Sequence, residues 1–293
     1  MIVIVDALNR HLFTEMLDDM FKLRKRVFHD RLGWEVDITD GKEVDLFDDL
    51  HPAYLIALDD SGEVVGCMRI LQTTGPHMLA DVFYDIMDGE PPVRSAQLWE
   101  VTRFCVDTDR LKAGKSRNSI SYVTSELFVA ATEYGKNNGI LDAVAVIDPI
   151  MNRVMIRSQN TPYDYLGKTV QMGKVKAMAG LLDCTDERIN RLRAFNGIEG
   201  DVFAENDEAA LALFATRASA PKALPTPTHP GVSDYMRAEV EAMQTPAPTK
   251  IDLQDYFESQ IADADSPEER AAAQALKLEM TAYFRSTTQR CDA

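Results

Sequence analysis

Apolar positions recur with two different periods along the first 195 or so residues, and the alternation of those periods predicts the elements. Met1 to Val5 is a short apolar strand candidate. From His11 onward Phe13, Met16, Met20, Leu23 and Val27 fall at helical spacing, which predicts one amphipathic helix to about Leu32, stopped by Gly33. Tyr54 to Leu58 and Glu63 to Leu71 flank the turn Asp59-Asp60-Ser61-Gly62 and predict a β-hairpin. A third strand is predicted over Leu98 to Val106. A helix follows over about Ile120 to Tyr134, then a strand from Asp142 to Ile147, a helix over about Met151 to Ser158, and a final strand region from Thr169 to Leu181. Helix, strands, helix, strand, helix, strand is an α/β order with a mixed central sheet flanked by helices.

Beyond about Phe195 the pattern changes. Six of the 13 prolines lie between Pro221 and Pro248, among Thr, Ala and Gly, which is linker composition. Leu253, Tyr256, Phe257 and Ile261 then suggest a helix. Ser266-Pro267-Glu268-Glu269 opens another, with Leu276, Met280, Tyr283 and Phe284 as its apolar stripe. The expected organisation is a domain over residues 1–200, a Pro-rich linker region over 201–250 and a C-terminal helical extension over 251–293.

Composition narrows the function classes. Apolar residues make up 45% of the 293, enough for a sizeable core. No apolar run is long enough to span a bilayer and the N-terminus lacks a signal-peptide layout, so a soluble cytoplasmic protein without membrane contact is expected. A formal charge of −16 argues against nucleic acid as a partner. Cys67, Cys105, Cys184 and Cys291 are scattered without metal spacing and the five histidines do not cluster, so no metal site is expected.

The chemistry-bearing residues concentrate in the first third. Arg24, Arg26 and Arg31 lie near Phe28 and Trp34, followed by Glu43, Asp45, Asp48 and Asp49, then Arg69 within an apolar strand, then Trp99-Glu100-Val101-Thr102-Arg103-Phe104. Strict strand alternation puts Glu100 and Thr102 on one face and Val101 and Arg103 on the other. Each charge taken singly is most simply a solvated surface group. Together with the aromatics, Phe83 included, they suggest a polar cleft with aromatic walls, suited to a small zwitterionic or cationic ligand.

Leu23-Arg24-Lys25-Arg26-Val27-Phe28, Arg31 to Val36, Glu43 to Asp48, Gly66 to Leu71, Pro76-His77-Met78-Leu79, Phe83 and the strand Trp99 to Phe104 resemble, in order and spacing, the signature of the LuxI-type N-acyl-homoserine lactone (autoinducer) synthases. The signature positions are filled by Arg24, Phe28, Trp34, Asp45, Asp48, Arg69, Phe83, Glu100 and Arg103. The resemblance covers roughly Ile2 to Leu182. It implies a GNAT-like acyltransferase fold with a V-shaped cleft. It also implies a reaction in which S-adenosylmethionine, a substrate and not a cofactor, is N-acylated from an acyl carrier protein thioester and closes to the lactone with release of methylthioadenosine. No cofactor is expected.

Glu100 is the expected base for the α-amine, directly or through a water. Trp34, Phe28 and Asp45 or Asp48 suit the sulfonium, Arg24 or Arg69 the substrate carboxylate, with Thr102 and Phe83 in the same binding set. The other reading of Arg24, Asp45, Asp48, Arg69 and Arg103 is a structural ion-pair network that shapes the cleft. An acidic carrier protein calls for a local basic surface. Candidates are Arg110, Lys112, Lys115 and Arg117 ahead of a helix, and Arg153 and Arg157 on one helix face with Lys168 nearby. The resemblance matches Arg153 and Arg157 to the family's carrier-docking positions. Ile147 stands where relatives making 3-oxo signals often carry threonine, which implies an acyl group without that hydrogen bond. Two alternatives remain: a GNAT-like N-acyltransferase using another amine or acyl-CoA, and a catalytically silent relative that binds S-adenosylmethionine or a carrier protein.

Overall fold

The structure, a computed structural model, describes residues 1–111, 119–172 and 175–217. The expectations for Lys112, Lys115, Arg117, Cys291 and the helices beyond residue 250 lie outside the described residues, as does all of the linker region past 217.

A seven-stranded sheet runs in the order β1-β4-β5-β6-β7-β9-β8. Its strands are β1 (Ile2–Val5), β4 (Ala53–Leu58), β5 (Val64–Gln72), β6 (Leu98–Val106), β7 (Asp142–Ile147), β8 (Asp164–Met172) and β9 (Val175–Asp183). All neighbours are antiparallel except β6 and β7, which pair in parallel over three registers only: Leu98 with Asp142, Trp99 with Ala143 and Glu100 with Val144. Past Glu100 and Val144 both strands continue without pairing to each other, so the sheet splits there. The split is the V-shaped cleft implied by the resemblance.

Both faces of the sheet are covered, which explains the unbroken apolar run of β4. Leu55 and Ala57 point to a core shared with Leu111 of the one-turn helix α3 (Thr108–Leu111), Leu127 and Phe128 of α4 (Ile120–Asn137) and Leu192 of α6 (Asp186–Asn196). Tyr54, Ile56 and Leu58 point to a core shared with Met16, Met20 and Leu23 of α1 (Thr14–Lys25). A third cluster joins Val144, Ala177 and Ala179 to Leu79, Ile86 and Met87 of the segment that carries α2 (Met78–Asp81).

Several expectations change. The helix foreseen over His11 to Leu32 starts at Thr14 and gives way after Lys25 to a π-helical turn, Arg26–Arg31. The loop after it contains a small hairpin, β2 (Ile38–Thr39) with β3 (Lys42–Glu43), and a 3₁₀ turn, Leu46–Leu50. The single final strand is two strands, β8 and β9. Helix α5 spans Pro149–Arg157, with the side chain of Asp148 as its N-cap. Helix α6, absent from the predicted elements, is capped by the Thr185 side chain.

The folded chain also continues beyond residue 200. Phe203 bridges Ile2, and α7 (Asp207–Thr216) buries Ala210 and Phe214 in the α1-side core. Among the described residues, no helix is long and apolar enough to cross a membrane.

Candidate active site

The Arg24-to-Arg103 set converges at one buried point. Arg24 donates from Nε to Glu43 at 2.5 Å and from both terminal nitrogens to Asp48 at 2.8 and 2.9 Å. Arg69 donates to Asp45 at 2.5 and 3.0 Å, to Asp48 at 2.8 Å and to the Thr102 hydroxyl at 3.0 Å. Arg103 closes the ring on Glu43 at 3.0 Å and Asp45 at 2.6 Å. Tyr54 adds a hydroxyl donor to Asp48 at 2.7 Å. Three guanidinium groups and three carboxylates thus balance, as a buried cluster requires.

The network depends on local backbone features. Asp45 and Asp48 form a reciprocal capping box at the 3₁₀ turn Leu46–Leu50, which orients both carboxylates. On β6 one extra residue intervenes between the pairs Cys67 with Cys105 and Arg69 with Thr102, and Arg103 takes φ of 52° in that bulge. Strict alternation therefore fails: Arg103 reaches Asp45, which also holds Arg69, the partner of Thr102, instead of projecting to the opposite face.

Exposure divides the set. Arg24 and Arg69 are 0% exposed and their forks are taken by carboxylates, whereas Arg103 at 14% and Asp45 at 11% form the open edge. Burial alone would raise Asp48. The hydrogen bonds and charges of Arg24 and Arg69 outweigh it and hold its carboxyl well below the usual carboxylate range. At the open edge Phe28 and Trp34 stack at 5.3 Å and 13°, and the Arg103 guanidinium lies 5.8 Å from the Phe28 ring centre. Trp34 is exposed. Phe83 is half-buried and packs on the β7–β9 cluster.

Glu100 stands at the point where β6 and β7 part. It is fully buried, and its two oxygens accept the backbone N–H groups of Met78 and Leu79 at 2.7 Å each. Each oxygen keeps a further lone pair for a proton or a donor. Burial pushes the carboxyl up to about 7, against the lowering pull of the two N–H groups and Arg69 and with a smaller upward push from Asp81. A buried carboxylate with proton affinity near neutrality is equipped to take a proton from an amine.

Val144 shares the face of Glu100, with which it is in register. Ile147, three residues on, faces the α4 side, buried in the cluster that holds Phe128 and Met155, with Met178 against it.

The basic candidates separate. Arg153 and Arg157 are exposed on α5. Lys168 on β8 pairs with Asp88. Between α5 and the β8–β9 hairpin lies a cavity of about 310 Å³ bounded by Asn152, Tyr165, Lys168 and Met178. Arg110 is not with them: it is fastened to the β4–β5 turn through Asp59 at 3.0 Å and Ser61 at 3.1 Å.

Two contributors escape the expected set. Glu43 bridges Arg24 and Arg103 while fully buried, and Tyr54 looked like an ordinary strand residue. The signal for Glu43 was its place at the head of the Glu43-to-Asp48 block; for Tyr54 there was none. Among the described residues no group of His, Cys, Asp and Glu could hold a metal ion.

The autoinducer synthase family profile matches residues 9–192. A probable acyl-homoserine-lactone synthase of Sinorhizobium fredii is 36% identical over 182 residues, 62% of this chain and 86% of that relative. The acyl-homoserine-lactone synthase of Aeromonas hydrophila is 34% identical over 193 residues, 65% of this chain and 91% of that relative. Among solved structures, the synthase LasI superposes with a TM-score of 0.58 at 29% identity, covering 69% of this chain and 98% of LasI. The CoA-dependent synthase BjaI, solved with SAM and isopentyl-CoA, superposes with a TM-score of 0.61 at 26% identity, covering 73% and 98%. The mixed sheet with its split is therefore the GNAT-like fold of these enzymes. The chain belongs to the autoinducer synthase family and is an acyltransferase, an acyl-homoserine-lactone synthase.

Proposed function

We propose that the chain makes an N-acyl-L-homoserine lactone from S-adenosylmethionine and an acyl thioester, with an acyl carrier protein as donor. The observation that carries this reading is Glu100, a buried carboxylate with proton affinity near 7 at the apex of the β6–β7 split. An α-amine is largely protonated near neutral pH and must lose a proton before it attacks. Glu100 accepts that proton, directly or through a water. The amine nitrogen then bonds to the thioester carbonyl carbon, the carbon–sulfur bond breaks, the second N–H proton passes to the departing sulfur so that the carrier leaves as its thiol, and the proton on Glu100 is released to solvent. In the second step the substrate carboxylate attacks the γ-carbon and the sulfonium departs as neutral methylthioadenosine, so folding the chain back dominates that step.

The acceptor sits at the open edge of the charged network. Its sulfonium meets the stacked Phe28 and Trp34 rings and Asp45, and its carboxylate meets Arg103 at the open edge in preference to the fully buried Arg24 and Arg69. Arg24, Arg69, Asp48 and Thr102 then hold the wall that carries Arg103 and Asp45. The acyl chain passes through the split to the α4 side, where Phe104 and Phe128 lie 5.3 Å apart beside Ile147 and Met155. The carrier protein docks on Arg153 and Arg157, with Lys168 at the rim.

A second reading concerns the donor. The chain superposes with TM-scores of 0.61 on two synthases described as CoA-dependent, MesI and BjaI, which makes acyl-CoA the alternative donor. Mass spectrometry of purified protein with S-adenosylmethionine and either acyl carrier protein or CoA thioesters tests both. Lactone and methylthioadenosine in equal amounts support the reaction, and the productive thioester names the donor. S-adenosylmethionine binding without methylthioadenosine from any thioester would leave a silent binding relative.

A further inference from the structure

Glu100 is held by the N–H groups of Met78 and Leu79, and the residue immediately before them is His77. The imidazole is fully buried, and its Nδ1 lies 2.9 Å from the carbonyl oxygen of Gly75. A carbonyl only accepts, so Nδ1 carries the hydrogen and, in the neutral ring, Nε2 is a bare lone pair. That Nε2 is the buried side-chain nitrogen or oxygen without a hydrogen-bond partner among the described residues. Leucine or phenylalanine would fill much of the same space but would offer no N–H to the Gly75 carbonyl.

That bond sits at a junction. The Gly75 carbonyl also accepts from exposed Arg94 at 2.6 Å. The backbone N–H of His77 donates to Asp81 at 2.9 Å. The next two residues, Met78 and Leu79, are the donors to Glu100. His77 therefore ties the bend at Gly75 to the first turn of α2 from inside while Arg94 ties it from outside.

We propose that His77 is a positioning residue for Glu100: through Nδ1–H and the Gly75 carbonyl it fixes the Met78 and Leu79 N–H groups on the carboxylate and thereby sets the proton affinity of the base. The proposal rests on the reading of Glu100 as base for its kinetic consequence, but not for its direct one. Hydrogen bonds to the charged form lower a carboxyl pKa, so loosening them raises it. The charged groups that reach Glu100 from the elements around it are Arg69 on β5 and Asp81 on α2, and neither is altered in the variants below.

Asparagine superposes its side-chain N–H on imidazole Nδ1, whereas glutamine superposes its own on Nε2, so the two substitutions separate the ring's two nitrogens. The experiment titrates the Glu100 carboxylate by ¹³C NMR in glutamate-labelled full-length protein, assigned with Glu100→Gln, alongside the pH profile of kcat/KM. In His77→Leu and His77→Gln the Glu100 titration is expected to move up by about one pH unit and the acid limb of the profile with it, while His77→Asn stays near the parent. Arg94→Ala, a surface change that leaves the core intact, moves the titration in the same direction by less. An NMR midpoint that is unchanged in both His77→Leu and Arg94→Ala overturns the proposal, as does rescue by glutamine but not asparagine. An NMR midpoint that moves while the acid limb stays still supports the positioning role and instead removes Glu100 as base.

Discussion

At Glu100 burial and hydrogen bonding pull in opposite directions, and burial wins, leaving a carboxyl that titrates near 7. A base in the proposed role works deprotonated, so kcat/KM is expected to rise with pH through about 7 and to level above it. Glu100→Gln is expected to lower kcat by roughly 10²–10⁴-fold, with S-adenosylmethionine binding by calorimetry largely retained; equal turnover would remove Glu100 from the chemistry. Asp48 is the opposite case. Its carboxyl is depressed in the fold, so its stabilising contribution is complete above the unfolded value of about 3.9 and is lost as pH falls through the lower folded value. Asp48→Asn leaves Arg24 and Arg69 short of a charge in the interior and should cost about 3–5 kcal/mol. By chemical denaturation the gap between parent and variant should hold from pH 5 to 8 and narrow below about pH 4. At this scale the sequence disclosed which residues belong together but not their exposure. The choice between Arg24, Arg69 and Arg103 as the carboxylate fork depends on which of them the capping box and the bulge leave at the edge.

Among elements, the strands β6 and β7 were legible to the residue: β7 is a short Val-, Ala- and Ile-rich run behind Gly139, and β6 is rich in aromatic and β-branched residues with apolar ends at Leu98-Trp99 and Phe104-Cys105-Val106. The β8–β9 hairpin was not: its runs Thr169 to Met172 and Val175 to Ala179 are both strand-like, and Gly173-Lys174 between them was read through as part of one strand region. The face assignments at the split produce two predictions. Ile147 projects to the α4 side with Met155 near it, so Ile147→Thr supplies a hydroxyl there and should raise the rate with 3-oxoacyl relative to unsubstituted thioesters. Product ratios from mixed donors measure this, and an unchanged ratio would detach Ile147 from acyl selection. On α5, Arg153→Glu with Arg157→Glu should raise the KM for the carrier-linked donor about tenfold while that for S-adenosylmethionine stays within twofold, since opposed charges at a docking surface are repelled. Arg110→Ala, which only loosens the β4–β5 turn, should leave both constants unchanged. A KM that responds to Arg110 and not to the α5 pair would move docking to the far end of β6.

For the whole molecule, the domain boundary matters most. Composition placed the end of the folded part near residue 200, because Pro and Ala become frequent soon afterwards. The helix α7 is short and Ala-rich, and Phe214 is its one fully buried large side chain, with Leu211 and Leu213 partly buried against the same core, so periodicity gave little sign of it. Yet Val202, Ala210 and Phe214 are buried in the two main cores. A chain ended at residue 200 should melt roughly 5–10 °C below one ended at residue 217, given the usual value of burying one aromatic side chain and the temperature scaling for this size. Calorimetry of the two truncations decides it, and equal melting temperatures would mean that α7 only rests on the surface.

The wide turn at Arg26–Arg31 has a consequence for how this family's chain can vary. Its extra residue lets the Trp34 N–H reach the Phe28 carbonyl at 2.9 Å and sets the two rings parallel. Removing one residue there would restore a regular helix and rotate everything after it by about 100°, carrying Trp34 off Phe28 while every signature side chain was still present. Between Arg26 and Trp34 the number of residues is thus as constrained as their kinds, and a one-residue deletion is expected to be more damaging than substitution of any non-aromatic member of the turn.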